Sequence, residues 1–274
     1  MAPSRIARPV PAALLGALLA LSCGTAAPPT TKKPEGDVPS AGRFPHAMFS
    51  RVLEKAVTED GLVDYAAVAE EKETLDSYLG EVARISPIAQ PHLFPTVDDQ
   101  LAYWINAHNA AALKGVLVLG VPKDLTKKGS ELDRMPFDFG GRKMSLLAVA
   151  VRLRKEYPDP RPVVVMVRGR RGGPPLAREA WDPKDLDPKL EAAARAFAKN
   201  PRFIAWTPDA PVAGVTRVIL DARALWEEQP SATVSGDRLL IEAINHYRPG
   251  RERILASKVE ALPYDQRLND VSNR

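Results

Sequence analysis

Few side chains in this 274-residue chain can carry covalent or acid–base chemistry near neutral pH, and they lie far apart. There is one cysteine, Cys23, and there are four histidines, His46, His92, His108 and His246. The histidines show no H-x-x-x-H or related spacing, and a lone thiol forms neither an internal disulfide nor a thiolate metal site. No metal and no cofactor is therefore expected. His108 sits between Asn106 and Asn109, on an otherwise apolar run. It reads either as a base partnered by Asp64 or Asp265, or as a helix histidine that hydrogen-bonds into the core. Asp265, in Leu-Pro-Tyr-Asp, reads as a carboxylate that orients a catalytic group or as one that stabilises a turn. A third group is cationic: Arg168, Arg170 and Arg171 lie among glycines in Val-Arg-Gly-Arg-Arg-Gly-Gly-Pro-Pro. Guanidinium groups so placed suit a carboxylate or phosphate, unless they form a solvated basic loop.

The elements that must position these groups follow from hydrophobic spacing. Phe49, Val52, Leu53 and Val57 predict a helix over 46–58, and Asp60-Gly61 predicts a turn before a short extended piece at 62–65. A helix over 66–83 places Leu75, Leu79 and Val82 inward. Thr96 caps the next helix, which runs to about residue 119 with Asp98 and Asp99 in its first turn. That helix is apolar nearly all round, so it is expected to be central, with Asn106 and Asn109 tying down neighbouring loops. A polar loop, a helix over 146–157, a buried strand at Val163-Val-Val-Met-Val167 and a helix over 188–199 follow. Strands at 203–206 and 215–220, a helix over 238–247 and an extended piece at 259–264 complete the chain. Helices dominate and the strands come late, which predicts an α+β fold with a small sheet packed on helices.

Hydrophobic residues make up 45% and charged residues 26% of the chain, enough for one sizeable core over 46–274. The formal charge of +4 is partly due to Arg5 and Arg8 in the leader, and basic and acidic residues are interleaved elsewhere. A nucleic-acid footprint is not expected.

The first 22 residues have the form of a secretory signal, with Arg5 and Arg8 ahead of the apolar stretch Val10 to Leu21. The stretch is too short for a bilayer, which takes roughly 20 apolar residues. Ala20-Leu-Ser-Cys23 resembles the lipobox of bacterial lipoproteins, with Ala20 where the ideal has leucine. The resemblance implies lipidation of Cys23, several acyl chains giving a stable membrane anchor. Gly24 in place of aspartate implies outer-membrane rather than inner-membrane retention, so an exported, periplasm-facing lipoprotein is expected. Residues 23–45, rich in Pro and Thr, read as a disordered tether.

Five motifs occur in order: Asp60-Gly-Leu-Val-Asp-Tyr-Ala-Ala-Val, Leu101-Ala-Tyr-Trp-Ile-Asn-Ala-His-Asn-Ala, Gly140-Gly-Arg-Lys-Met-Ser-Leu, Asp159-Pro-Arg with Gly173-Pro-Pro-Leu, and Leu262-Pro-Tyr-Asp-Gln-Arg-Leu-Asn-Asp. Over roughly residues 60–270 the series resembles the family called domain of unknown function 547 (DUF547). The resemblance implies a distantly papain-like or transglutaminase-like arrangement with a Cys/His pair. In the family a Glu-His pair follows Ser-Leu; Ala150 and Val151 occupy those places here. The family's two cysteines, one ending a strand and one beside the prolines, correspond to Arg168 and Gly173. His108 stands where the family has tyrosine. A cysteine nucleophile needs a thiolate and a base, and these side chains supply neither. Ser145, the nearest hydroxyl, lies a turn or more from Ala150. If the family's Cys and His instead bind metal, this chain lacks those ligands too.

Two readings stand. The first is a membrane-tethered, non-catalytic binding or scaffolding domain whose partner is another protein or a small anionic ligand, with Arg168, Arg170, Arg171, Asn106, Asn109 and Asp64 as binding candidates. The second is a hydrolase or acyltransferase using rearranged residues, His108 and Asp265.

Overall fold

The computed structural model describes residues 44–208, 210–227 and 235–274; the leader, Cys23 and nearly all of the tether lie outside them. Phe44, assigned to the tether from sequence, is instead part of the core. Its ring meets Tyr78 and Tyr103 edge-on, with centroids 5.7 and 5.0 Å away. Burying one aromatic ring among others outweighs the disorder that the proline-rich stretch before it favours.

The N-terminal helices form as their apolar spacing requires. Helix α1 (Ala47–Ala56) buries Phe49, Val52, Leu53 and Ala56. The helix expected over 66–83 is two helices, α2 (Tyr65–Glu70) and α3 (Lys72–Arg84). The break is at Glu71, whose backbone leaves helical geometry while its carboxylate accepts from Thr74 and Lys55 and pairs with Arg51. Asp64 caps α2, its Oδ1 accepting from Ala66 N at 3.0 Å and Ala67 N at 3.2 Å.

Helix α4 (Val97–Val118) is the centre of the fold. Thr96 and Asp99 close a reciprocal capping box, Thr96 Oγ1 accepting from Asp99 N and Asp99 Oδ2 accepting from Thr96 N, each at 3.1 Å. Every residue from Leu101 to Leu113 is buried. The other elements pack around it, and truncating Trp104, fully enclosed, would cost roughly 3–5 kcal/mol.

The stretch read as a polar loop holds three further elements: α5 (Gly129–Arg134) and an antiparallel hairpin, β1 (Pro136–Phe139) paired with β2 (Arg142–Ser145). Its turn is Gly140-Gly141, both at positive φ, 62° and 83°, which two-residue hairpin turns demand. Ser145 ends the hairpin and caps α6 (Leu146–Glu156), accepting from Ala148 N.

The strand expected at 163–167 does not form. Pro160 and Pro162 lack ladder donors and favour a tight turn, so Arg161–Val164 is a 3-10 helix. The backbone then extends past Val165, and Asn109 takes the place of a neighbouring strand. Its Nδ2 donates to Val165 O at 3.0 Å and its Oδ1 accepts from Val167 N at 2.9 Å.

After α7 (Leu186–Lys199) comes a three-stranded sheet. Strand β3 (Ile204–Ala205) runs antiparallel to β4 (Val212–Val215). The segment read as a strand over 215–220 turns helical at once, because Thr216 caps α8 (Arg217–Leu220) through Val218 N. Helices α9 (Arg223–Glu227) and α10 (Asp237–His246) lead to β5 (Lys258–Ala261), parallel to β4. The described residues thus contain ten α-helices and two small sheets, an α+β fold. No helix among them is long and apolar enough to cross a membrane.

Candidate functional site: an arginine-lined chamber beside the central helix

The arginine loop is held by the chain's C-terminal end. Arg170 bridges to Leu268, and Arg171 N and Gly172 N donate to Arg267 O and Asp265 O at 2.8 and 2.9 Å. Leu125 N and Leu268 N continue this strap by bonding Gln266 O and Lys123 O. Gly172 is needed here, since a Cβ would sit 2.7 Å from Asp265 N.

Between this loop, α4 and α6 lies a narrow chamber of about 40 Å³. That admits a few water-sized groups. It shares Arg168, Val218 and Tyr264 in its lining with a wider basin of about 250 Å³. The chamber wall is mainly apolar, from Leu153, Val163, Met166 and Leu225 among others, and its polar groups are His108, Arg154, Asp159, Arg168 and Tyr264. Asp159 is taken up by the Arg161 guanidinium, with contacts of 2.8–3.0 Å.

His108 enters the chamber from α4, only 1% exposed. Nδ1 is 3.4 Å from Asn109 Oδ1, and Nε2 has no hydrogen-bond partner among the described residues. Burial pushes the imidazole pKa down to about 4, with nearby Arg168 acting in the same direction, so the ring is neutral at physiological pH.

Arg154 is the residue the motifs do not reveal. It follows Ala150 by four positions on α6, so both face the chamber. Its Nη1 donates to Asp221 O at 3.1 Å, its Nε has no partner, and it makes no ion pair among the described residues. Burial and then the neighbouring Arg168 hold the guanidinium below its ordinary pKa. Tyr264, also missed, lines the chamber with its phenol pushed up by burial. The signals available were the i, i+4 spacing from Ala150 and the place of Tyr264 inside the Leu-Pro-Tyr-Asp motif.

The three loop arginines part company. Arg168 lines both chamber and basin, its nearest carboxylate Asp133 at 3.7 Å. Arg170 is committed to structure: it grips Asp133 with two bonds of 3.0 and 2.9 Å and donates to Gln266 Oε1. Arg171 lies outside the chamber wall, 3.8 Å from Asp265. Asp265 is not in the chamber wall either; Arg267 holds it by bonds of 2.7–3.2 Å, which lowers its pKa. A His108–Asp265 pair therefore does not form. Asp64 caps α2 through Oδ1, Asn106 and Asn109 bond loop backbone, and none of the three lines the chamber.

Gly173 and Ala150 both line the chamber, whereas Val151 does not and is 39% exposed on the outer side of α6. Val151, where the resemblance puts the family's histidine, thus does not share the chamber with Gly173, whereas Ala150, where it puts the glutamate, does. Among the described residues lining the chamber there is no Ser, Thr or Cys. No group of three or more His, Cys, Asp or Glu converges anywhere in the described residues. The arrangement offers positive charge, one bare imidazole nitrogen and a phenol.

Residues 95–198 match the family described as Protein of unknown function, DUF547. The matched stretch takes in α4, α5, the hairpin, α6 and the arginine loop. No curated protein and no solved structure matches the chain.

Proposed function

We propose that the chain is a lipoprotein anchored at the cell envelope through Cys23, whose DUF547-like domain binds a small anion without covalent catalysis. One observation carries the binding half. Arg154 and Arg168 bring like charges to one narrow chamber, and Arg154 makes no ion pair among the described residues, the Asp221 carboxylate acting on it only from a distance. Such a pair is stabilised by an anion placed between them. The non-catalytic half rests on side-chain chemistry: Gly173 and Val151, with Ala150 beside it, hold no atom that can attack a carbonyl or accept a proton.

Calorimetric titration of the full chain with small anions tests this reading. Sulfate or acetate should bind saturably, and Arg154→Met and Arg168→Met should each weaken binding at least about tenfold, the worth of one charge-assisted hydrogen bond. Absence of binding by every anion tried defeats the anion-site reading. Covalent labelling of a chamber residue by an electrophilic probe, abolished by substituting that residue, defeats the non-catalytic one. Anchoring is read from the mass of the exported protein: a diacylglyceryl increment lost in Cys23→Ser is expected, and an unmodified wild-type mass is the contrary result.

A further inference from the structure

The bare nitrogen of His108 narrows the ligand class. The orientation of Asn109 is fixed by backbone, since Val167 N–H can only donate and Val165 C=O can only accept. The atom 3.4 Å from His108 Nδ1 is therefore an oxygen, and Nδ1 must carry the ring proton to donate to it. A neutral imidazole has one such proton. Nε2 is then an unprotonated acceptor, buried and unpartnered, on a ring that lines the chamber to which Arg154 and Arg168 bring positive charge. Either guanidinium could donate to Nε2, but neither does, and the atom has no hydrogen-bond partner among the described residues. Tyr264, which lines the same chamber, makes no hydrogen bond to Nε2.

We infer that the ligand is an anion bearing its own hydrogen-bond donor, a hydroxycarboxylate or a hydrogen phosphate, with its charge on Arg154 and Arg168 and its O–H on His108 Nε2. The inference rests on the anion-site reading above. The neutral ring that burial enforces supports it, because a protonated imidazole would present a second N–H and welcome any anion. A buried acceptor left unpaired discriminates strongly against ligands that cannot donate to it.

Two probe pairs differ in the donor while keeping similar shape. Hydrogen phosphate keeps a P–OH proton at neutral pH and sulfate keeps none; glycolate has a hydroxyl that methoxyacetate lacks. In the full chain, phosphate should bind about tenfold or more tightly than sulfate, or glycolate than methoxyacetate, the range set by one buried hydrogen bond. The pair that shows the preference tells hydrogen phosphate from hydroxycarboxylate. His108→Leu should erase the preference and leave residual binding of both members. Nitrogen-15 spectra supply a readout that needs no variant, with the ring proton of His108 expected on Nδ1. Equal binding within both pairs, or a proton on Nε2, overturns the inference while the anion site stands. If none of the four probes binds, both fall.

Discussion

Asn106 and Trp181 exchange two hydrogen bonds: the amide nitrogen donates to Trp181 O at 2.8 Å, and Trp181 N donates back to Oδ1 at 2.9 Å. One turn later Asn109 makes the matching pair with Val165 and Val167. Two asparagines on the central helix thus do for the flanking loops what a neighbouring strand would do. They hold both ends of the segment that carries Arg168 and Gly173. Asn106→Ala strips partners from two buried backbone groups, and a stability loss of about 2–4 kcal/mol is expected. Urea denaturation measures it, and a loss under about 0.5 kcal/mol would show that the loop does not depend on the amide.

Arg168 and Arg170 should separate cleanly by what their loss affects. Arg170→Ala removes both partners' geometry from the part-buried Asp133 and should lower stability by about 3 kcal/mol. Arg168→Ala removes only a 3.7 Å contact and should stay within about 1 kcal/mol while anion affinity falls. Thermal melts and calorimetry on both variants decide the matter. Equal destabilisation with unchanged binding is the opposing result.

Acid should destabilise the fold through its histidines. His46 and His108 are each pushed down to about 4 by burial, against 6.5 for an exposed ring. Above pH 6.5 neither folded nor unfolded chain is protonated at these rings, and their full contribution is present. As pH falls from 6.5 towards 4, the unfolded chain binds protons that the fold excludes, and stability declines. The loss is on the order of 3 kcal/mol for each ring and is complete below pH 4. Denaturation midpoints at pH 7 and pH 4.5 should differ accordingly in the wild type, and by less in His108→Leu. A flat profile across that window contradicts the buried, neutral assignment.

Restoring a thiol at position 173 tests the chamber directly. A Cβ there starts 3.1 Å from Arg170 O and 3.5 Å from Tyr264 Oη, so Gly173→Cys needs a shift of a few tenths of an ångström and should fold. With Arg168 lining the same chamber, its thiol should ionise below the ordinary value of about 8.5. The pH dependence of iodoacetamide labelling, in a Cys23→Ser background, reports it. An inert thiol, or one titrating above 8.5, would mean that position 173 does not open onto the cationic chamber.

Much of the frame is legible in the order of residues. The capping box at Thr96 and Asp99, the all-apolar run behind it and the structural use of Asn106 and Asn109 are local consequences of helix geometry. The Gly140-Gly141 hairpin was missed because its strands are four residues each and mostly solvent-facing, leaving no alternation to read. The Val163 to Val167 segment misled for the opposite reason. Its apolar run is real, but two prolines and one asparagine decide its backbone.

The sequence by itself determined that the side chains at positions 150, 151 and 173 hold neither sulfur nor imidazole. It also determined where the central helix begins, because caps and helical period act over a few residues. Only the tertiary structure decided which charges share a space. Arg154 meets Arg168, Arg170 is diverted to Asp133, and Asp265 turns away to Arg267. Those outcomes depend on contacts between elements distant in the chain, where burial sets which ion pairs form and which nitrogen is left bare. Spacing along the chain carries no record of either.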